Sequence, residues 1–381
     1  MGAYIIRRVL YTAPLVLGVC FFTFLLFDVL FSPRDRAEQA LGKHANEKGI
    51  DDWIRSHGLD KPLFYNSPAR KAIAEMGSRA DDAAIREAIA AHKGWSRARA
   101  VREMGASAGE AKIEGLIRER GWDKEPFYGR LTDTRFADHM ARLLFFRFGR
   151  SEKTNQEIGQ KILRGMGPSL CLTVPIFAMG LVMGIVLSLV VAFYRATYLD
   201  LWAVVICIAF MSVSVLVYII AGQYLFAQYM RLFPVYGYAG GMSAARFLVL
   251  PAIIAVLKEL GGDVRFYRTI LLEEISRDYV RTARAKGLPE WAVLFKHVLR
   301  NAMIPILTNT VLAIPFLFMG SLLLENFFGI PGLGNMTVDA VHDGDVKVLA
   351  AMVYLGALLF AAGNLLTDIS YTVADPRVRL R

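Results

Sequence analysis

Five stretches of the chain, residues 9–31, 169–194, 201–226, 301–324 and 346–371, are apolar almost without interruption. A helix needs about 20 such residues to cross the hydrocarbon core of a bilayer, so each stretch predicts a membrane span. Residues 246–257 are apolar as well, but Lys258, Glu259 and Asp263 then interrupt the run. A charge at the centre of a spanning helix costs about 2.5–3.5 kcal/mol on an insertion scale. The basic residues nevertheless argue for a sixth span over roughly 246–268. Cytoplasmic flanks are rich in Lys and Arg, and Arg7 and Arg8 precede the first stretch. Six spans return the basic segment 265–300 and the tail residues Arg377, Arg379 and Arg381 to the same side, whereas five would place both outside. The charges of the sixth span are then expected to face protein or water. The first stretch is too long for a cleaved leader, and Ser32-Pro33-Arg34-Asp35-Arg36 follows it instead of a small-residue cleavage site.

Residues 32–168 break this pattern. They hold 46 of the 78 charged side chains of the 381-residue chain, and the other 244 residues share 32. The overall 55% hydrophobic and 20% charged composition therefore averages two unlike parts. That division excludes a soluble single domain, and the abundance of apolar residues excludes a disordered chain. The segment reads as a large hydrophilic insertion outside the membrane, and loops of this length escape the charge rule. Ile85, Ile89, Val101, Ile113 and Ile117, punctuated by glycines at 94, 105, 109, 115 and 121, predict short helices. Residues 58–65 are echoed by 121–128, as chance or as a duplicated capping turn. Ile158, Ile162 and Leu163 then predict an amphipathic helix on the outer membrane surface.

The net charge of +10 matches basic flanks of membrane spans, and without zinc-ligand spacing or an aromatic-rich basic pattern no nucleic acid is expected. Cys20, Cys171 and Cys207 lie in apolar runs and are read as buried small hydrophobes. Gly105-Ala106-Ser107-Ala108-Gly109 matches a hydrolase elbow, but it lies in an Ala- and Glu-rich helical stretch with no evident base. The six histidines are scattered, so no metal site is expected, and no phosphate-cradling glycine loop with its lysine occurs. Gly180 and Gly184 predict close helix packing. A secondary transporter would call for inverted repeats, and none is seen.

One basic segment stands out: Arg281-Thr282-Ala283-Arg284-Ala285-Lys286-Gly287-Leu288-Pro289. Gly287 suits the position after a helix and Pro289 the first turn of the next, which predicts a helix, a sharp turn and a second short helix. Small side chains allow close approach of another surface, and Arg281, Arg284 and Lys286 can pair with acidic groups opposite. Taken alone, the segment reads equally as a docking element and as a solvated loop.

Further motifs decide between them. His297-Val298-Leu299-Arg300-Asn301-Ala302 and Pro305 follow the basic segment, and together they resemble the "EAA" loop of binding-protein-dependent ABC importer permeases, most closely the dipeptide/oligopeptide branch with its Yej-type subunit. Tyr4-Ile5-Ile6-Arg7-Arg8, Phe148-Gly149-Arg150-Ser151, Phe233-Pro234-Val235-Tyr236-Gly237-Tyr238, Leu324-Glu325-Asn326-Phe327-Phe328-Gly329-Ile330-Pro331-Gly332-Leu333-Gly334 and Asp375-Pro376-Arg377 support the match in order along the chain. Thr282 stands where the broader pattern has Ala, residues 58–120 are extra, and the charges at 258, 259 and 263 are unusual for it.

The resemblance implies an all-α membrane protein with six transmembrane helices and a large, mainly helical extracytoplasmic insertion after the first. It divides as 1–31, 32–168 and 169–381, with a cytoplasmic coupling loop at about 269–300. It implies a multi-pass protein of the bacterial inner membrane with both termini cytoplasmic, paired with a second permease subunit in a heterodimer. Two ATPase subunits, or a fused one, hold ATP and magnesium, and an extracytoplasmic binding protein delivers a peptide or peptide-like solute. This chain itself is expected to bind no cofactor and to carry no catalytic residue. Residues 281–289 are expected to couple to the ATPase. Phe328, Gly329, Ile330, Pro331, Gly332, Leu333 and Gly334 are expected at the outer gate, with a plain tight turn as the alternative. Lys258, Glu259 and Asp263 are expected to line the path or, alternatively, to form an internal ion pair or water cavity.

Overall fold

A computed structural model describes residues 2–29, 31–42, 46–59, 61, 63–64 and 134–374. The Ser107 motif, the second copy of the echo, the 377–381 tail and most of the 58–120 segment lie outside the described residues. Every regular element described is helical, apart from an isolated antiparallel bridge between Arg150 and Glu157. The chain divides into two compact units, Cys20–Arg147 and Met1–Val19 with Phe148–Arg381.

In the smaller unit, the C-terminal end of α1 (Gly2–Phe24) relaxes into a wider π-helical turn, Leu25–Val29. Two short helices follow, α2 (Pro33–Leu41) and α3 (Glu47–Ser56). Ser32 caps α2 by accepting from the Asp35 amide, with Pro33 pre-set for the first turn. Thr134 caps α4 (Arg135–Leu144) in the same way. The unit is joined by the rings of Phe24, Phe64 and Phe136, with Phe24 and Phe136 edge to face at 5.2 Å. Beside them the buried Asp28 carboxylate receives Arg36 at 3.2 Å, Arg135 at 3.3 Å and His139 Nδ1 at 2.8 Å.

The larger unit is built on two long helices, α5 (Ile158–Phe193) and α8 (Ala244–Ile275). They cross where Gly184 leaves room: a Cβ there would lie 3.0 Å from the Tyr267 ring and 3.1 Å from Asp263 Cβ. The expected close packing at this glycine pair is thereby realised. α6 (Tyr198–Ser212) meets α8 at Gly261, whose added Cβ would sit 2.7 Å from the Cys207 carbonyl. α7 (Val215–Gly222), continued as a π-helical turn to Tyr229, packs Gly222 against Ile254. The remaining elements are α9 (Asp278–Ala285), the single turn α10 (Glu290–Ala292), α11 (Leu299–Ala313), α12 (Leu322–Phe328), α13 (Leu333–Asp343) and α14 (Val346–Ala374).

Among the described residues, four helical stretches are long and apolar enough to cross a membrane, or five when the bent pair α6–α7 counts as one span. Three expectations change. The run 201–226 is not one straight helix: it bends by 89° at Val213 and Ser214, where the Ser214 hydroxyl caps α7. The amphipathic stretch at 158–163 is not a separate surface helix but the first turns of α5. Pro168 and Pro175 are carried within that helix, and Leu163 points away from the buried Ile158 and Ile162. Cys171 is exposed, whereas Cys20 and Cys207 are buried as expected. The segment expected as the charged span forms the continuous 32-residue α8, and Lys258, Glu259 and Asp263 keep it out of the apolar count.

Candidate functional site

Three places hold the residues singled out by sequence. The first is the elbow from α8 to α11. Arg277 N-terminal to α9 and Gly287 after it, at φ +77°, set its two ends. Val280 and Ala283 are the buried positions of α9 and pack with Leu271, Ile275, Val293 and Val298. The opposite face, with Arg281, Thr282 and Ala285, is exposed, as are Lys286, Gly287, Leu288 and Pro289 beyond it. A helix this short cannot hold itself together in water, so its stability comes from that packed face.

Two polar ties fix the elbow further. Arg284 meets Glu290 in a two-pronged pair, Nε–Oε2 at 3.0 Å and Nη2–Oε1 at 2.6 Å. This closes the Gly287 turn from one side to the other. Arg284, read above as able to pair with acidic groups on another surface, thus has an acidic partner within the chain. Arg281 reaches Asp278 at 3.4 Å on an exposed surface, where such a pair contributes little. The Tyr279 hydroxyl donates to Glu274 Oε2 at 2.6 Å, tying α9 back to α8. Burial and then the Glu274 carboxylate push the Tyr279 phenol up to about 12, so it stays a donor at neutral pH.

The second place is the segment 320–336. The expected mouth residues are packed here: Phe328, Ile330, Gly332, Leu333 and Gly334 are buried, Gly329 is half-buried, and only Pro331 is exposed. They wrap around Glu325, which is fully buried. Its Oε1 accepts from the Ser169 hydroxyl at 2.8 Å and the Ser321 amide at 3.0 Å, and its Oε2 accepts from the Asn335 amide at 3.1 Å. Ser169 in turn accepts from the Leu333 amide at 2.7 Å. Side chains at Gly320 and Gly332 would strike this carboxylate, and one at Gly334 would lie 2.7 Å from the Ser321 carbonyl carbon. The glycines thus exist to let backbone close over a buried acceptor.

The two motifs Phe233–Tyr238 and Leu324–Gly334 come together at this knot. The Gly237 amide donates to the Phe328 carbonyl at 2.9 Å, and Gln223 Nε2 donates to the Phe327 carbonyl at 2.9 Å and to that of Val235 at 3.1 Å. Gly329, in the left-handed region at φ +68°, seats the Tyr236 ring where a side chain would stand. The Phe148–Ser151 motif forms a separate hydrogen-bonded loop in which the Ser151 hydroxyl donates to Asp345. Asp345 also caps α14 through the Val348 amide at 3.2 Å.

The third place is the middle of α8. Lys258 and Asp263 are half-buried and Glu259 is exposed, and none of them forms an ion pair within 4 Å among the described residues. Asp263 borders the crossing with α5, its Oδ2 near Gly180. Sequence reasoning missed Glu325, Ser169 and the Arg284–Glu290 pair. Glu325 carried one signal, an acid directly after the predicted apolar span 301–324.

Comparison with known proteins shows the family. Residues 184–380 match the family model described as binding-protein-dependent transport system inner membrane component. A Brucella abortus (strain 2308) protein named as a peptide transport system permease is 33% identical over 280 residues, 72% of this chain and 87% of that protein. The oligopeptide transport system permease protein AppB of Bacillus subtilis (strain 168) is 44% identical over 131 residues, 34% of this chain and 42% of its own. A Sinorhizobium fredii protein named as a peptide ABC transporter permease is 30% identical over 279 residues, 72% of this chain and 87% of its own. The elbow, α14 and residues 320–336 of the knot fall inside the family match, with Ser169 before its start, and the chain belongs to the inner-membrane components of binding-protein-dependent transport systems, which are transport subunits and not enzymes.

Proposed function

We propose that this chain is a permease subunit of an ATP-driven ABC importer for peptides or peptide-like solutes, forming half of the translocation path. The observation that carries the reading is the elbow: a short helix with an exposed small-residue face, fixed on its other face by packing and by the Arg284 and Tyr279 ties. Such an element moves as one piece when pushed. The named activities of the relatives support the solute class.

In this reading α8 is the sixth span, the elbow and both termini are cytoplasmic, and the 32–168 segment is extracytoplasmic. A second permease subunit completes the path, two ATPase subunits or a fused one hold ATP and magnesium, and an extracytoplasmic binding protein delivers the solute. Closure of the ATPases presses residues 281–289, α8 and α11 carry the displacement, and the bundle switches between two packings. Residues 328–334 bear on the outer gate through their hold on α5 and α13. Glu259, exposed in mid-helix, supports a water-filled path beside α8, because lipid is a costly neighbour for a carboxylate.

Co-purification tests the coupling. The permease pair is expected to elute with a P-loop ATPase, and Gly287→Trp is expected to abolish the complex while the permease pair stays folded. Full complex formation and uptake by that variant would overturn the reading. For the path, Lys258→Met is expected to change uptake affinity or rate, and unchanged kinetics would remove Lys258 from it.

A further inference from the structure

The C-terminal end of α5 and the chain leaving α10 enclose an apolar groove of about 170 Å³. Val186, Val190 and Phe193 of α5 form one wall, and Leu294 and Phe295 form the other. Tyr194 and Trp291 stand at its rim, and Trp291 is 64% exposed. One wall belongs to a helix long and apolar enough to cross the membrane, and in the proposed orientation that end of the helix is its cytoplasmic end. Aromatic rings with one apolar and one polar edge gather at the membrane–water boundary.

Charge at the rim selects the lipid. Arg195 follows Tyr194, is exposed, and has no ion pair within 4 Å among the described residues. It lies near enough to Glu290 to act on it electrostatically, but that carboxylate is already held two-pronged by Arg284. Lys296, the residue after Phe295, is also exposed and without an ion pair among the described residues. Glu290 and Asp200, the latter accepting from the Ala196 amide, are each engaged by an arginine, Asp200 by Arg268 at 2.7 Å. Arg195 and Lys296 thus each follow a residue of the groove in sequence, exposed and without an ion pair within 4 Å among the described residues.

We infer that this groove holds an acyl chain of an anionic phospholipid whose phosphate is bound by Arg195 and Lys296. The assignment of the groove to the cytoplasmic leaflet rests on the proposed orientation; the lipid class rests on the groove itself. A lipid so placed touches the π-helical turn Val293–Val298 that follows the elbow, and it wedges α5 against the entry to α11.

Native mass spectrometry of the complete purified transporter tests this. The protein is exposed to equal amounts of phosphatidylglycerol and phosphatidylcholine, and the retained lipid is counted. Wild type is expected to retain one phosphatidylglycerol per copy in preference by about thirtyfold, the combined effect of two basic side chains at an anionic headgroup. The paired surface change Arg195→Gln with Lys296→Gln is expected to erase the preference, and Val190→Trp, which fills the slot, to remove one lipid per copy. Equal retention of the two lipids by wild type, or an undiminished lipid count in Val190→Trp, would overturn the inference. Lipid held by the separated permease but absent from the complete transporter would also overturn it, by showing that a protein partner covers the groove. Assembly with the ATPase is measured separately in the same spectra, so failure of the lipid site and failure of the coupling reading are distinguishable.

Discussion

Glu325 shows how a single residue organises a motif. A carboxylate offers only acceptors, and the side chain of Ser169 and the amides of Ser321 and Asn335 all donate to it. Removing the acceptor leaves buried donors unmet, at about 1–3 kcal/mol for each. Glu325→Ala is therefore expected to lower the thermal midpoint of the purified protein strongly, and Glu325→Gln less so. A midpoint unchanged by Glu325→Ala would show that the knot is not what holds residues 320–336. The sequence made the glycines legible as irregular backbone. Their cause stayed hidden, because Ser169 is 156 residues from Glu325 and nothing local links them.

Among the elements, neighbouring glycines of α8 make opposite demands. Gly261 faces the Cys207 carbonyl and Phe210, while Gly262 has open space around it. Gly261→Ala is expected to destabilise by about 1–3 kcal/mol through overpacking. Gly262→Ala is expected to be neutral or to stabilise by up to about 1 kcal/mol through helix propensity. Comparing the two unfolding midpoints in one detergent checks both, and equal effects would contradict the α6–α8 contact. The elbow carries a prediction of its own. Arg284→Gln opens the tie across Gly287, so it is expected to lower solute moved per ATP hydrolysed while leaving ATP turnover in place. The exchange Arg284→Glu with Glu290→Arg is expected to restore the ratio, and an unaltered ratio in Arg284→Gln would assign the tie to folding alone. The turn at Gly287 and Pro289 was readable from residue types, since each has a fixed backbone role. The inward pairing of Arg284 was not, because an arginine six residues from a glutamate across a turn reads equally as paired or free. The break between α6 and α7 was invisible for a different reason: residues 201–226 are apolar on every face, so hydropathy carries no phase to reveal a bend.

For the molecule as a whole, the charge division of the sequence, residues 32–168 against the rest, does not coincide with the division into compact units. The contact boundary at Arg147 and Phe148 falls before the polar segment ends, because Ile158, Ile162, Gly165 and Ser169 already belong to the buried face of α5. Composition marks where lipid contact begins and not where packing does. The charges of α8 show the same limit: hydropathy excludes this helix from the apolar count, although α5, α6 and α7 all pack on it. Its proposed place as a span rests on gathering the basic segments on one side of the membrane. The central claim, that this chain is a passive path driven through its elbow, is tested most directly in proteoliposomes. These carry the permease pair, the binding protein on one face and the ATPases on the other. Peptide accumulation is expected with ATP on the elbow's side and is expected to vanish with a hydrolysis-dead ATPase or with Gly287→Trp. Undiminished accumulation driven by an ion gradient, with no ATP hydrolysed, would contradict it.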